Sequence, residues 1–278
     1  MVYSSGHKFV ITDEGLPIME VNIRCGQNER HGYFYIDTCS SINIINEELV
    51  NLSGPESSFR GLGNECSNSR ITAVEFSYGG EKYVDVFHAI AKRILPEENE
   101  YEILGILGVK FMNKHSIVIN NKKKVIRMNS KSDLFASVPV IKMDYTDAGL
   151  PLIQAVVNGK EQWCLVATGS SFNIACEPVF GNHTFKAVSR DEANVLFSFG
   201  DKIMTLPAEL DFDITQELQG KTSELHFSEK FSVPIYGNKK NLEVDKGREI
   251  RVLLGNEFVR KHKWIIDFGN NVIYPEQV

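Results

Sequence analysis

Asp37 opens a short polar run, Asp37-Thr38-Cys39-Ser40-Ser41, set between the apolar stretch Tyr33-Phe34-Tyr35-Ile36 and the largely apolar Ile42–Ile45. A carboxylate between buried strands costs free energy unless hydrogen bonds satisfy it, so this placement favours a functional loop over a solvated helix cap. The chemistry open to such a group is proton transfer, as acid or base toward a water or a bound molecule. The pattern occurs twice. Tyr35–Ile44 recurs as Leu165–Ile174, so that Ala167-Thr168-Gly169-Ser170-Ser171 answers the first run with a methyl group where Asp37 stands.

The elements that must hold these loops are repeated as well. Gly15-Leu16-Pro17-Ile18 returns as Gly149-Leu150-Pro151-Leu152, and Phe76-Ser77-Tyr78-Gly79 aligns with Phe197-Ser198-Phe199-Gly200. Ile106-Leu107-Gly108 returns as Leu253-Leu254-Gly255, and each half ends in Lys-His, an apolar strand, a polar turn and a second apolar strand. Matches that keep one order imply a duplicated domain. Short runs of Val, Ile, Phe and Tyr between Gly-Gly, Gly-Asp and Asn-Asn turns predict antiparallel strands, while helical patterning is confined to short segments beginning at Val109 and Asn256. The expected fold class is all-β, two similar lobes with a few short helices. An N-terminal lobe is expected over 1–130, a connection over 131–147 and a C-terminal lobe over 148–278. Within the connection, Val138-Pro139-Val140-Ile141 has the composition of an added strand.

The two polar runs resemble the paired Asp-Thr-Gly motifs of aspartic peptidases, and the two Leu-Gly elements are similar to the apolar-apolar-Gly segment that packs beside the active-site loop in that family. The resemblance spans nearly the whole chain. Each lobe looks like one retropepsin-type unit, and the tandem resembles the bilobal pepsin-like arrangement of acid-protease-like closed barrels with a cleft between them. It implies an aspartic endopeptidase in which carboxylates at positions 37 and 167 share one proton, since like charges that close do not both ionise. The pair activates a water that attacks a peptide carbonyl, with no metal, no cofactor and no covalent enzyme intermediate. By the same resemblance Thr38 and Thr168 exchange hydrogen bonds across the lobe interface. Ser40 and Ser170 donate to the carboxylate oxygens, and the residue at the glycine position, Gly169 in the second run and Cys39 in the first, offers its amide hydrogen.

Two departures matter. Ala167 can neither share a proton nor activate water, so the chain is expected to be inactive or nearly so. The polar constellation kept around Ala167 favours a deliberate Asp-to-Ala replacement that silences an active enzyme, with a natural pseudopeptidase that binds peptides in the cleft as the alternative. A further possibility pairs Asp37 with a carboxylate outside the repeat. Cys39 replaces the usual glycine, which is tolerable unless the loop needs positive φ there, and a small packed side chain is expected in place of a nucleophilic thiol. On the alignment above, 34 residues precede Phe76 after the first motif and 25 precede Phe197 after the second. The surplus suits a single flap over the cleft, with Gly61 and Gly63 in a mobile hairpin and Phe59 or Leu62 lining the cleft.

Thirty Lys plus Arg against 36 Asp plus Glu give a net charge of -6, with no excess of cations for nucleic acid or an anionic membrane. No apolar run approaches the ~20 residues that span a bilayer. Five cysteines without CxxC spacing suggest neither a disulfide framework nor a zinc site, and with no secretory signal a cytoplasmic location is expected. The expected partner is a peptide or protein substrate. A monomer suffices, because both lobes lie in one chain. His115 and His262, each after a Lys, are expected at short helix ends where a cation meets the dipole.

Overall fold

The computed structural model describes residues 6–25, 28–60, 66–91, 95, 98–129, 138–180, 194–198, 201–234 and 242–275. The first repeat opens with β1 (His7–Lys8), β2 (Val10–Ile11), β3 (Pro17–Cys25), β4 (Asn28–Ile36) and β5 (Asn43–Asn46). It continues with β6 (Glu56–Arg60), β7 (Cys66–Tyr78), β8 (Glu81–Ile90), β9 (Ile103–Leu107), the helix α1 (Val109–Lys114), β10 (Val118–Asn120) and β11 (Val125–Arg127). The second repeat carries β12 (Ile141–Lys142), β13 (Asp144–Tyr145), β14 (Pro151–Val157), β15 (Lys160–Ala167), β16 (Ile174–Ala175) and β17 (Asn194–Ser198). There follow β18 (Asp201–Leu218), β19 (Lys221–Pro234), β20 (Glu243–Asp245), β21 (Arg248–Gly255), α2 (Asn256–Lys261), β22 (Ile265–Asp267) and β23 (Val272–Tyr274).

Each repeat closes a six-strand barrel. In the first, the order β3-β4-β9-β5-β8-β7 returns to β3 through Ile23 opposite Phe76; in the second, β14-β15-β21-β16-β19-β18 returns to β14 through Val157 opposite Phe212. Closure removes the sheet edges that would otherwise be left unpaired within each barrel. The fold is all-β with two lobes and, among the described residues, two six-residue α-helices.

The register corrects one part of the sequence alignment. Phe76 and Phe212 occupy the same place in their barrels, so Phe197 is not the counterpart of Phe76. The ring contacts agree: Phe76 packs on Tyr83, Phe87 and Phe111, and Phe212 packs on Phe227, Phe231 and Phe258 at matching positions. Between the second motif and Phe212 lie 40 residues (172–211), against 34 (42–75) in the first lobe, so the surplus belongs to the second lobe. A hairpin stands at the same place in both: β6 on β7 from Glu56–Arg70 to Arg60–Cys66, and β17 on β18 from Asn194–Thr205 to Ser198–Asp201. Length therefore gives no reason to place a single flap in the first lobe, although β6 and β7 do pair on either side of the glycine-bearing segment expected there.

A third sheet, in the order β1-β11-β10-β22-β23-β12, joins the lobes. At its centre Ile119 faces Ile266, its own counterpart in the repeat, which places a pseudo-twofold axis between β10 and β22. β12 pairs with β23 as β1 pairs with β11, and β13 with β14 as β2 with β3. The stretch expected as a connection thus holds the opening strands of the second repeat, which begins ahead of residue 148. Trp264, Ile119 and Ile266 are fully buried where this sheet meets the barrels.

Candidate active site

Both polar runs sit where a barrel strand ends at the lobe junction. β4 delivers Asp37 just past Ile36, which pairs with Leu107, and β15 delivers Ala167, which pairs with Gly255. Each loop then turns back into a short strand, and an asparagine where that strand begins ties it to the Leu-Gly element: Asn43 Oδ1 accepts from Gly108 N at 3.0 Å, and Asn173 Oδ1, just ahead of β16, accepts from Gly255 N at 2.8 Å. The other end of each amide donates to a neighbouring strand, to Val86 O and Lys230 O. Ser40 O accepts from Val109 N, and Ser170 O accepts from Asn256 N. Sequence reasoning missed these asparagines, although their recurrence two residues after each Ser-Ser pair is a visible signal.

Glycine at 108 and 255 has a steric cause. A Cβ on Gly108 would lie 2.5 Å from Ser40 O, and one on Gly255 would overlap Phe172 O and stand 2.9 Å from Ser170 O. The loops lie against bare backbone.

The two threonines meet across the junction. Thr38 N donates to Thr168 Oγ1 at 3.1 Å and Thr168 N donates to Thr38 Oγ1 at 2.9 Å. Each hydroxyl passes its own hydrogen on, Thr38 to Val166 O and Thr168 to Ile36 O. Both side chains are fully buried, so the four bonds satisfy both amides and both hydroxyls of the pair and fix one loop against the other.

Asp37 lies over this crossing, with part of its surface still accessible. Its Oδ1 accepts from Cys39 N at 2.7 Å, and the amides of Gly169 and Ser40 also point to the carboxylate. Desolvation nevertheless dominates and raises its pKa above the ordinary value, the three N–H groups opposing. Among the described residues none of the groups acting on it is a second acid, and no cluster of three or more His, Cys, Asp or Glu stands ready for a metal. Ala167 is fully buried among apolar side chains.

The serine hydroxyls take a different course from the one expected. Ser40 Oγ donates to Ile42 O at 2.7 Å and Ser170 Oγ donates to Phe172 O at 2.9 Å, each closing a tight turn. In the first loop it is the amide of Ser40, not its hydroxyl, that serves Asp37. Phe172, 42% exposed, is a large apolar side chain on the loop that carries Gly169, and sequence reasoning did not single it out. Phe59 lies in β6 opposite Ser67, while Gly61, Leu62 and Gly63 fall outside the described residues. A recess of about 390 Å³ lined by Arg24, Leu49, Thr72 and Val74 shares no residue with the motif loops.

His115 and His262 cap the C-termini of α1 and α2 and pack against Phe111 and Phe258, with ring centroids 4.4 and 4.5 Å apart. Burial, aided by Lys114 and opposed by Asp85 and Asn129, pushes the His115 pKa down, which works against the cation expected at a helix end. His262 instead meets Glu229 at 2.8 Å.

No family model matches the sequence, and no curated protein matches it. Among solved structures the chain is similar to the Basic 7S globulin from soybean, with a TM-score of 0.55 and 8% identity, over 97% of this chain and 93% of that one. At that identity the likeness shows the fold alone, the two-lobed acid-protease-like arrangement of two six-strand barrels. No helix among the described residues is long and apolar enough to cross a membrane.

Proposed function

We propose that this chain binds extended peptides at the junction of its lobes through a site of aspartic-peptidase type that retains one carboxylate, and that it does not hydrolyse them. The observation behind this reading is Asp37 itself, a desolvated carboxylate held by amides of both loops with only the methyl of Ala167 at the matching position. With a raised pKa, Asp37 donates a hydrogen bond to a peptide carbonyl when protonated and accepts one from a peptide N–H or hydroxyl when ionised. An extended peptide adds its main-chain bonds to flanking strands, and Phe172 offers an apolar surface for one of its side chains. Hydrolysis needs a second group to take and return the proton of the attacking water, and Ala167 has none.

The second reading, an aspartic endopeptidase bearing an inactivating substitution at position 167, draws on the threonine crossing and the Asn173–Gly255 tie, which are complete on the Ala167 side. Calorimetry with pepstatin and a degenerate hexapeptide mixture tests the main reading. Binding is expected in the unaltered chain, at least about tenfold weaker in Asp37→Asn, since a hydrogen bond to a charged group contributes about 1.5–3 kcal/mol, and no hexapeptide is cleaved. Absence of binding overturns the proposal, as does cleavage by the unaltered chain that Asp37→Asn abolishes.

A further inference from the structure

We infer that Cys39 locks this site in its one-carboxylate form, because its Cβ fills the space that a carboxylate at position 167 would occupy. The inference rests on the reading of the site given above and deepens it, joining the two departures from the repeat into one.

Three observations carry it. The first concerns Gly169. A Cβ built there would overlap Asp37 Cγ and stand 2.5 Å from Oδ2, a separation real Cβ atoms essentially never show. Gly169 does not have positive φ, so the glycine is required by the close approach of the carboxylate and not by backbone conformation. The second is the pseudo-twofold relation of the loops. It is fixed by the reciprocal Thr38–Thr168 bonds and by Ile119 facing Ile266, and it carries Gly169 onto Cys39 and Asp37 onto Ala167. A carboxylate at position 167 would lie on the Cα of residue 39 as Asp37 lies on the Cα of Gly169. The third is what surrounds Cys39. Cys39 packs against the apolar cluster that contains Ala167, with its Sγ 4.0 Å from Val166 O.

Cys39 also lacks positive φ, so the cysteine is compatible with its backbone. The conflict is between side chains alone. Each residue is acceptable because of the other: a methyl at 167 leaves room for a thiol at 39, and a thiol at 39 excludes an acid at 167. Restoring the acid by itself therefore does not rebuild a carboxylate pair, whereas restoring it together with glycine does. Cys39 is in this sense a positioning residue that acts through the geometry of residue 167.

Four full-length chains test this: unaltered, Cys39→Gly, Ala167→Asp and the double variant. Thermal unfolding at pH 5 should show Ala167→Asp lowering Tm by about 5 °C or more beside Cys39, and by less than half as much in the Cys39→Gly background, at roughly 2–4 °C per kcal/mol for a chain of this size. Pepstatin titrated against pH should bind the double variant at least about tenfold more tightly than Ala167→Asp. Its pH dependence should show the two-step profile of coupled acids only in the double variant. Equal loss of Tm in both backgrounds overturns the inference, as does measurable pepstatin binding of equal affinity by the single and double variants. If Ala167→Asp fails to fold with either residue at 39, Ala167→Asn, of similar size without the charge, is taken through the same cycle with Tm as its readout, and an equal loss in both backgrounds overturns the inference. A Tm coupling without pepstatin or hexapeptide binding by any of the four chains would sustain the steric inference and sink the peptide-binding reading, so the two failures are separable.

Discussion

Thr38→Val is expected to lower the unfolding free energy by about 2–5 kcal/mol. The valine keeps the shape of the threonine but removes the hydroxyl that donates to Val166 O and accepts from Thr168 N. Both of these backbone groups lie at a fully buried crossing, and each orphaned buried group costs about 1–3 kcal/mol. Thr168→Val removes the equivalent pair of bonds, to Ile36 O and from Thr38 N, and is expected to cost about the same. Since the four bonds form one network, the double variant should lose clearly less than the sum of the two singles. Urea unfolding of the three variants checks this. A loss below about 0.5 kcal/mol in either single variant would mean that the crossing does not hold the lobes together.

Gly255→Ala is expected to be of similar severity for a different reason. Its Cβ would overlap a main-chain oxygen, Phe172 O, which no rotamer change can move aside. The loop 168–173 must shift as a body, at an overpacking cost of about 3 kcal/mol. That loop carries Gly169, whose amide serves Asp37, so hexapeptide binding should fall with stability. Gly159→Ala provides the contrast. Nothing lies within 4 Å of a Cβ there, and only its positive φ of 72° is strained, at about 1 kcal/mol. Thermal unfolding and calorimetry on the two variants should separate them, with Gly159→Ala retaining binding; equal, small losses would show that the loop is free to move away from Gly255.

The duplication is legible in the sequence because the loops and the Leu-Gly elements depend on local identity: Thr38, Asn43 and Gly108 each have one steric or hydrogen-bonding task, and their repeats Thr168, Asn173 and Gly255 have the same. Phe76 aligns wrongly by sequence because its task is long-range. It closes a barrel against Ile23 and packs on an aromatic core, a place that Phe212 fills with different neighbours in sequence. The match of Phe197 to Phe76 rests on composition shared by two hairpins. The roles of Ser40 and Ser170 are not legible either, because a serine at that place in the motif serves equally as a donor to a carboxylate at the first position or to the carbonyl two residues on, and only coordinates decide between them. Cys39 and Ala167 read as separate departures because nothing in one dimension shows that the Cα of one faces the side chain of the other.

The central claim is that Asp37 is a desolvated carboxylate at the lobe junction that meets bound peptide. A ¹³C NMR titration of the Asp37 carboxyl, with and without the hexapeptide mixture, tests it most directly. A midpoint above the usual value of about 3.9, moved further by peptide, is the predicted result. A midpoint at or below that value, unchanged by peptide, would contradict the account.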